Sequence, residues 1–285
     1  MTASVPSVSD PDVVPRRAAR DGGMREEPEG RRSGLTMAAG RIVLVVAICA
    51  LWEWIAVTTG AEFWISRPTL VFEQLGEWIG NGYLATHIGI TLQEMLLGFL
   101  LGASVGIAVG FILGLTPVLG RLLDPFITAV YSLPKIALAP LFVLWFGVGL
   151  SMKVILTAVI VFFLVFWNTY TGVLERNREL VDVLSVMGAR RRHIIRKVVL
   201  PGALTYIYVG LKLAIPYALI GAVVGEIIAS NRGIGYILMS AAGAFNTAGL
   251  FAALLVLTII STILNEILNR SERYVLRWKR AGYKS

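Results

Sequence analysis

A few side chains in this sequence lie where they could do chemistry inside a very apolar chain. Glu94, Lys135 and Glu226 each interrupt a long hydrophobic run, and Pro134 and Pro140 lie on either side of the lysine. An ionisable side chain at membrane depth is costly to bury, so it usually faces the interior of a helix bundle and marks a solute or ion pathway. Proline there breaks the backbone hydrogen bonding, which is tolerated where the segment faces protein or a water-filled cavity. These five residues are candidates for lining a pathway.

Other interpretations of the same residues stay open at this point. Lys135 could extend to the nearer membrane surface, or pair with an acid such as Glu94, although the sequence does not show that the two meet. Glu226 is expected near the outer end of its hydrophobic run, where partial hydration would lower the cost of its charge.

Catalytic and metal-binding patterns are missing from the sequence. It has no GxxxxGK[ST] loop to hold phosphates, and His87 and His193 are too far apart for ligand spacing. Cys49 is the single cysteine, so neither a disulfide nor a cysteine metal site can form within the chain. We therefore expect a protein that is not an enzyme, with no metal and no cofactor of its own.

The composition is that of an integral membrane protein. The 285 residues are 56% hydrophobic and 15% charged, whereas soluble domains are about 45–50% apolar and about 25% charged. Windows of about 20 apolar residues, the length that crosses a bilayer as a helix, predict spans at 42–60, 86–114, 125–148, 153–172, 203–229 and 247–268. The predicted fold class is an all-α polytopic bundle of about six transmembrane helices.

The basic residues predict how this bundle is oriented. With the N-terminus inside, 21 of the 26 Lys and Arg fall in the two termini, the 115–124 loop and the central loop; Arg67, Lys153 and Arg232 fall outside. This bias places both termini in the cytoplasm of a prokaryotic cell, and it explains the net charge of +8 without a nucleic-acid partner. We expect a disordered cytoplasmic tail over 1–40, a membrane domain over 41–275 in contact with lipid, and a basic cytoplasmic end over 276–285.

The second predicted span has a glycine at every fourth position. The glycines are Gly98, Gly102, Gly106, Gly110 and Gly114. Residues four apart share one helix face, so another helix can approach this face closely. Packing within the chain is the expected use, although a contact between subunits would have the same pattern.

The loop over 174–201 is long and basic between two apolar walls. It carries apolar residues at helical spacing on both sides of Gly188, which is placed to end a helix, and Pro201 with Gly202 is expected to mark the junction with the next span. A cytoplasmic helix-turn-helix with one apolar side is suited to docking on another protein. The alternative is an ordinary solvated loop, which would need only a few residues.

The run from Asp182 to Pro201 resembles the EAA loop of ABC importer permeases. Asp182 stands at the glutamate position, Val183 and Leu184 replace the two alanines, and Gly188, Val198, Leu200 and Pro201 follow at matching spacing. The segments "IALAPLFVLWFGVG", "FWNTYTGV" and "ALIGAVVGEIIASNRGIGYIL" are similar to the nitrate, sulfonate and taurine branch of that family.

This resemblance implies a partner, a cargo and roles for residues. Such permeases work in pairs with two cytoplasmic ATPase subunits, which bind ATP and Mg, and receive a small polar, mostly anionic solute from an external binding protein. Asp182, Val183, Leu184, Met187, Gly188, Leu200 and Pro201 would form the coupling surface. Leu184 and Met187 would be its buried anchor, and a second copy of the chain is the simplest partner permease. A passive channel and a membrane-embedded enzyme are the alternative interpretations of the sequence.

Overall fold

The computed structural model describes residues 29–277, and within that range the secondary structure is helical. The helices are α1 Glu29–Thr58, α2 Glu62–Ile65, α3 Pro68–Gly80, α4 Tyr83–Leu115, α5 Pro117–Tyr131, a 3₁₀ turn Lys135–Leu138, α6 Ala139–Phe146, α7 Leu150–Leu174, α8 Arg178–Val186, α9 Arg191–Ile194, a π turn Ile195–Val199, α10 Leu200–Ala229, α11 Ile234–Gly243 and α12 Thr247–Val275. Five helical stretches of the described chain are long and apolar enough to cross a membrane, or six if α5 and the segment after it form one span. The predicted fold class is confirmed.

The chain divides into two units after Ala50. The described part of the first unit, residues 29–50, belongs to α1, and the second unit holds all the other helices. The disordered tail expected over 1–40 is wrong for residues 29–40, which are helical; residues 1–28 and 278–285 lie outside the described range. Met37 and Ala39 are strong helix formers, but Gly30, Gly34 and Gly40 are poor ones, so helix propensity does not account for this extension.

The core of the second unit is built on α4, α7 and α10, and the most extensive packing is between α4 and α7. All five glycines of the repeat are buried, and each faces α7 of the same chain. A Cβ at Gly106 would lie 2.8 Å from the Phe162 carbonyl oxygen, and one at Gly110 would lie 2.7 Å from the Phe166 carbonyl oxygen. Side chains are therefore excluded here, which lets the two backbones meet.

The third predicted span differs from its expectation. The chain forms α5 and then, after a 76° bend, the 3₁₀ turn and α6. The expected 115–124 loop is absent, since α4 ends at Leu115 and α5 begins at Pro117. Pro134 precedes the 3₁₀ turn and Pro140 lies in the first turn of α6, where a proline needs no hydrogen-bond partner. The two prolines therefore separate helices and do not kink a single one.

Candidate functional site

The first half of the 174–201 loop is a short, well-capped helix. The Asn177 side chain accepts a hydrogen bond from the Leu180 amide (3.0 Å), which satisfies one of the free donors at the start of α8. At the other end Gly188 has φ +76°, and the Ala189 amide donates to the Leu184 carbonyl at 2.9 Å. This is the glycine-dependent helix end that the sequence predicts.

One face of α8 is apolar and exposed. Leu180, Val183 and Met187 lie on it at helical spacing with exposed fractions of 52%, 56% and 76%, and the neighbouring Val186 is 90% exposed. Leu184, expected as a buried anchor together with Met187, is half-buried against its own chain, and Asp182 is exposed. The surface available to a partner is therefore Leu180, Val183, Val186 and Met187, which we call the α8 apolar face.

The second half of the loop is anchored to its own chain. α9, the π turn and α10 form one helical run of 39 residues, so Pro201 and Gly202 do not mark a junction. Proline has no amide proton to continue the α-helical ladder, and the π turn directly before it accommodates this loss. Val199 is buried with Val173 and Ala203, and Leu200 is 39% exposed.

The candidate pathway residues fall into two separate groups. Lys135 is half-buried beside the bend. Its Nζ donates to the Tyr131 carbonyl at 2.5 Å and lies 4.5 Å and 4.9 Å from the ring centres of Tyr131 and Phe163. Its surroundings are carbonyls and aromatic rings, and Glu94 is not among them.

Glu94 pairs with a different lysine. The Lys153 Nζ donates to Glu94 Oε1 at 2.5 Å and to Ser230 Oγ at 3.0 Å, and both charged side chains are almost fully buried. Lys153 was expected in an outer loop. It lies inside α7, which begins at Leu150. Its position at the start of a long apolar run is the sequence feature that could have placed it within the helix.

Glu226 is fully buried, so its expected partial hydration is wrong. Its carboxylate accepts hydrogen bonds from Thr91 Oγ1 (2.7 Å) and from the Gly235 amide (2.6 Å). The two preceding amides at the start of α11 also have side-chain acceptors: Gly233 donates to His87 Nδ1 (3.0 Å) and Ile234 to Thr91 Oγ1 (2.9 Å).

We call His87, Thr91, Glu94, Lys153 and Glu226 the buried polar cluster. It joins α4, α7 and α10 to the loop before α11. His87 and Thr91 were missed from the sequence, although positions 87, 91 and 94 are spaced to share one face of a helix. Most of its buried polar atoms are hydrogen-bonded to one another or to the loop, although Glu94 Oε2 has no partner in the described chain.

Comparison with known proteins identifies the class. Residues 102–280 match the family model described as the inner membrane component of binding-protein-dependent transport systems. A putative aliphatic sulfonates transport permease of Bacillus subtilis is 30% identical over 90% of this chain and 92% of its own length. A riboflavin transport system permease of Chloroflexus aurantiacus is 33% identical over 85% and 91%, and a formylaminopyrimidine transport permease of Halalkalibacterium halodurans is 29% identical over 82% and 93%.

A solved structure shares the fold. A chain from inward-facing MetNI, a methionine ABC transporter, superposes with a TM-score of 0.60 at 22% identity, over 67% of this chain and 95% of that one. The chain belongs to the family of inner-membrane components of binding-protein-dependent transport systems. It is a multi-pass permease of an ABC importer and not an enzyme, which confirms the resemblance found in the sequence.

Proposed function

We propose that this chain forms the pathway for a small polar, negatively charged solute of the sulfonate, taurine or nitrate kind. An external binding protein delivers the solute, and two ATPase subunits bound at the 174–201 loop supply the energy from ATP and Mg. A second copy of the chain completes the pathway. Both termini lie in the cytoplasm, and the chain resides in the inner membrane.

The observation that carries this proposal is the α8 apolar face. Val186 and Met187 are 90% and 76% exposed on a helix whose two ends are capped within the chain. Burying such a side chain contributes about 1.5–3 kcal/mol, so a contiguous group of four supports a specific protein contact. The basic residues around the loop support a cytoplasmic location, where the ATPase is found.

A passive channel is the competing function, and it differs from an importer because it works without an ATPase partner. Purification of the full chain from gently solubilised native membranes, with crosslinking through cysteines placed on α8, tests both. We expect an ATPase carrying a phosphate-binding loop to be crosslinked and solute uptake to stop without ATP. Uptake that continues without ATP, with no nucleotide-binding protein attached, would establish the channel.

The anionic solute is supported by Lys135. Its ammonium group lies at the bend between α5 and α6 beside carbonyls and rings, so its positive charge is not neutralised by Glu94 or by Glu226. Glu94 has its own counter-charge in Lys153. Lys135 is therefore a cation beside the bend that a passing anion would meet.

A planar ring is the second candidate for the solute. Tyr131 lies between Phe163 and Trp167, with ring centres 6.3 Å and 6.0 Å away, and these aromatic faces adjoin Lys135. Aromatic faces stack on flat heterocycles as readily as they hold the lysine. Two of the similar permeases are named for ring solutes, riboflavin and formylaminopyrimidine.

Substitution of Lys135 separates the two candidates. In cells that contain the complete transporter, we expect Lys135→Gln to lower uptake of an alkanesulfonate roughly tenfold, and Lys135→Arg to retain most of it, because arginine keeps the charge. Equal uptake by both variants, together with loss of uptake in Trp167→Ala, would favour the planar ring.

A further inference from the structure

We propose that Glu226 is a positioning residue of the transport cycle. Through the buried polar cluster it holds residues 230–235, the loop after α10 together with the first two residues of α11, against α4 and α7, and this loop is released when the 174–201 loop moves. This inference rests on the proposed function, since it assumes that ATP-driven movement begins at that loop.

The loop is held from three helices at once. The amides of Gly233, Ile234 and Gly235 donate to side chains of α4 and α10, and Ser230 accepts from Lys153 of α7. The first free amides of a helix are usually satisfied by one local capping residue or by water. Here the acceptors come from distant helices, so a shift of α10 against α4 would break several of these bonds together.

The backbone geometry leaves no space between the loop and Glu226. Gly233 has φ +103°, and a Cβ there would overlap the Glu226 carboxyl group. A Cβ at Gly235 would lie 2.5 Å from the Val223 carbonyl oxygen. Both glycines allow the loop to rest directly on α10, so its position follows that of the carboxylate.

Stability alone does not account for ionisable groups in this position. Taking charged groups out of water costs several kcal/mol each, and well-packed neutral residues often replace a buried ion pair with no loss of stability. His87 and Thr91 show that neutral acceptors serve this same helix end. The buried polar cluster contains two acids and one base. Their interactions are strong when all partners are in contact, and separating the partners would leave charged groups buried and unpaired. Such a cluster suits a contact with two discrete states.

A continuous helix links Glu226 to the 174–201 loop. The helical run Arg191–Ala229 begins with α9, and Glu226 lies in its last turn. At about 1.5 Å per residue, Arg191 and Glu226 are roughly 50 Å apart along this run. Because no loop interrupts this run, we expect movement at α9 to be carried along α10 toward the buried polar cluster.

The test replaces Glu226 by glutamine in the complete transporter. Glutamine has one acceptor oxygen, so it serves either Thr91 or Gly235 but not both. We expect normal amounts of assembled complex, ATP hydrolysis that continues, and uptake lowered roughly tenfold or more. Thr91→Val, which removes one hydroxyl and retains the shape of the side chain, is the milder variant if Glu226→Gln does not assemble. We expect Thr91→Val to lower uptake while ATP hydrolysis continues, as for Glu226→Gln.

Glu53→Gln is the matched control. Glu53 also caps a helix through space, accepting from the Thr69 amide (3.1 Å) and hydroxyl (2.9 Å) at the start of α3, but it is not part of the helical run to α9. It should alter assembly at most and leave the ratio of uptake to hydrolysis unchanged. A similar ratio in Glu226→Gln, Thr91→Val and Glu53→Gln would reduce Glu226 to a structural residue and overturn the proposal.

A labelling measurement follows the loop itself. In a Cys49→Ser background, Arg232→Cys at the exposed tip of the loop is treated with a maleimide, with and without a non-hydrolysable ATP analogue. We expect a nucleotide-dependent labelling rate that Glu226→Gln abolishes and Glu53→Gln retains. The labelled transporter with unchanged Glu226 could import only with ATP and still show a labelling rate that does not depend on nucleotide. This result would overturn the proposed loop movement but not the proposed function. Import without ATP would overturn the proposed function instead.

Discussion

The α8 apolar face and the buried polar cluster are opposites in how their groups are satisfied. On α8 the backbone is capped within the chain, while Val183, Val186 and Met187 are exposed. In the cluster, Glu226 and Thr91 are buried, and their oxygens meet amides or hydroxyls of the same chain. An exposed apolar surface is suited to binding another molecule, whereas a buried polar group must form its hydrogen bonds within the chain.

This difference predicts where substitutions act. A change in the buried polar cluster that leaves a charge without its partner should cost stability of the chain itself, because no water is there to replace the partner. Changes on the α8 apolar face should leave the chain stable and weaken association. A thermal unfolding measurement on the purified permease, together with a binding measurement for the ATPase, tells the two regions apart.

Lys153→Met should have the largest effect on stability. It leaves Glu94 buried without its counter-charge, and breaking a buried pair in this way costs about 3–5 kcal/mol. We expect a clearly lower unfolding temperature for the detergent-purified variant.

The double variant Glu94→Gln/Lys153→Met is the control for that result. It removes both charges and should recover most of the loss, because neutral groups of similar size are inexpensive to bury. Equal destabilisation by the single and double variants would show that the pair matters for its shape and not for its charge.

Gly188→Leu should have an intermediate effect on stability and a large one on uptake. The φ of +76° costs a residue with a side chain about 1–2 kcal/mol, and there is open space around the position, so strain is the only local penalty. We expect the chain to reach the membrane in normal amounts, with ATP hydrolysis no longer tied to uptake.

Gly202→Leu is the matched control, since it also has open space but lies within α10. Leucine is a better helix former than glycine, so neither stability nor uptake should fall. Normal uptake by Gly188→Leu would contradict the proposed coupling role of the 174–201 loop.

The helices were largely predictable because their signals are local. Apolar length located the spans, and the glycine repeat indicated a close helix contact. The bend after Tyr131 and the helical continuation through Pro201 were not predictable, because proline signals a break without saying whether a π turn, a 3₁₀ turn or a new helix follows. That choice depends on the helices packed around it.

The two sites differ in how much of each the sequence indicated. Gly188 and the amphipathic pattern of α8 lie within a few residues, so the helix and its end were predicted, and Leu184 is half-buried. The partners in the buried polar cluster are far apart in sequence: 59 positions separate Lys153 from Glu94, and 135 separate Thr91 from Glu226. Sequence spacing identifies side chains that share a helix, but it cannot pair side chains across helices.

Val186→Ser should have the smallest effect on stability, because Val186 is 90% exposed and exposed substitutions usually change stability by no more than about 0.5 kcal/mol. We expect normal unfolding of the purified permease but roughly tenfold weaker ATPase binding, as the lost apolar contact was made only in the complex.

Leu184→Ser brings the comparison within a single helix. Leu184 is half-buried against its own chain, two positions before Val186, so the same change there should lower the unfolding temperature. If Val186→Ser destabilised the chain as much as Leu184→Ser, or if it bound the ATPase normally, then the α8 apolar face would not be the docking surface. The opposite pattern, binding lost at one position and stability lost at the other, would show that one short helix serves two molecules on its two faces.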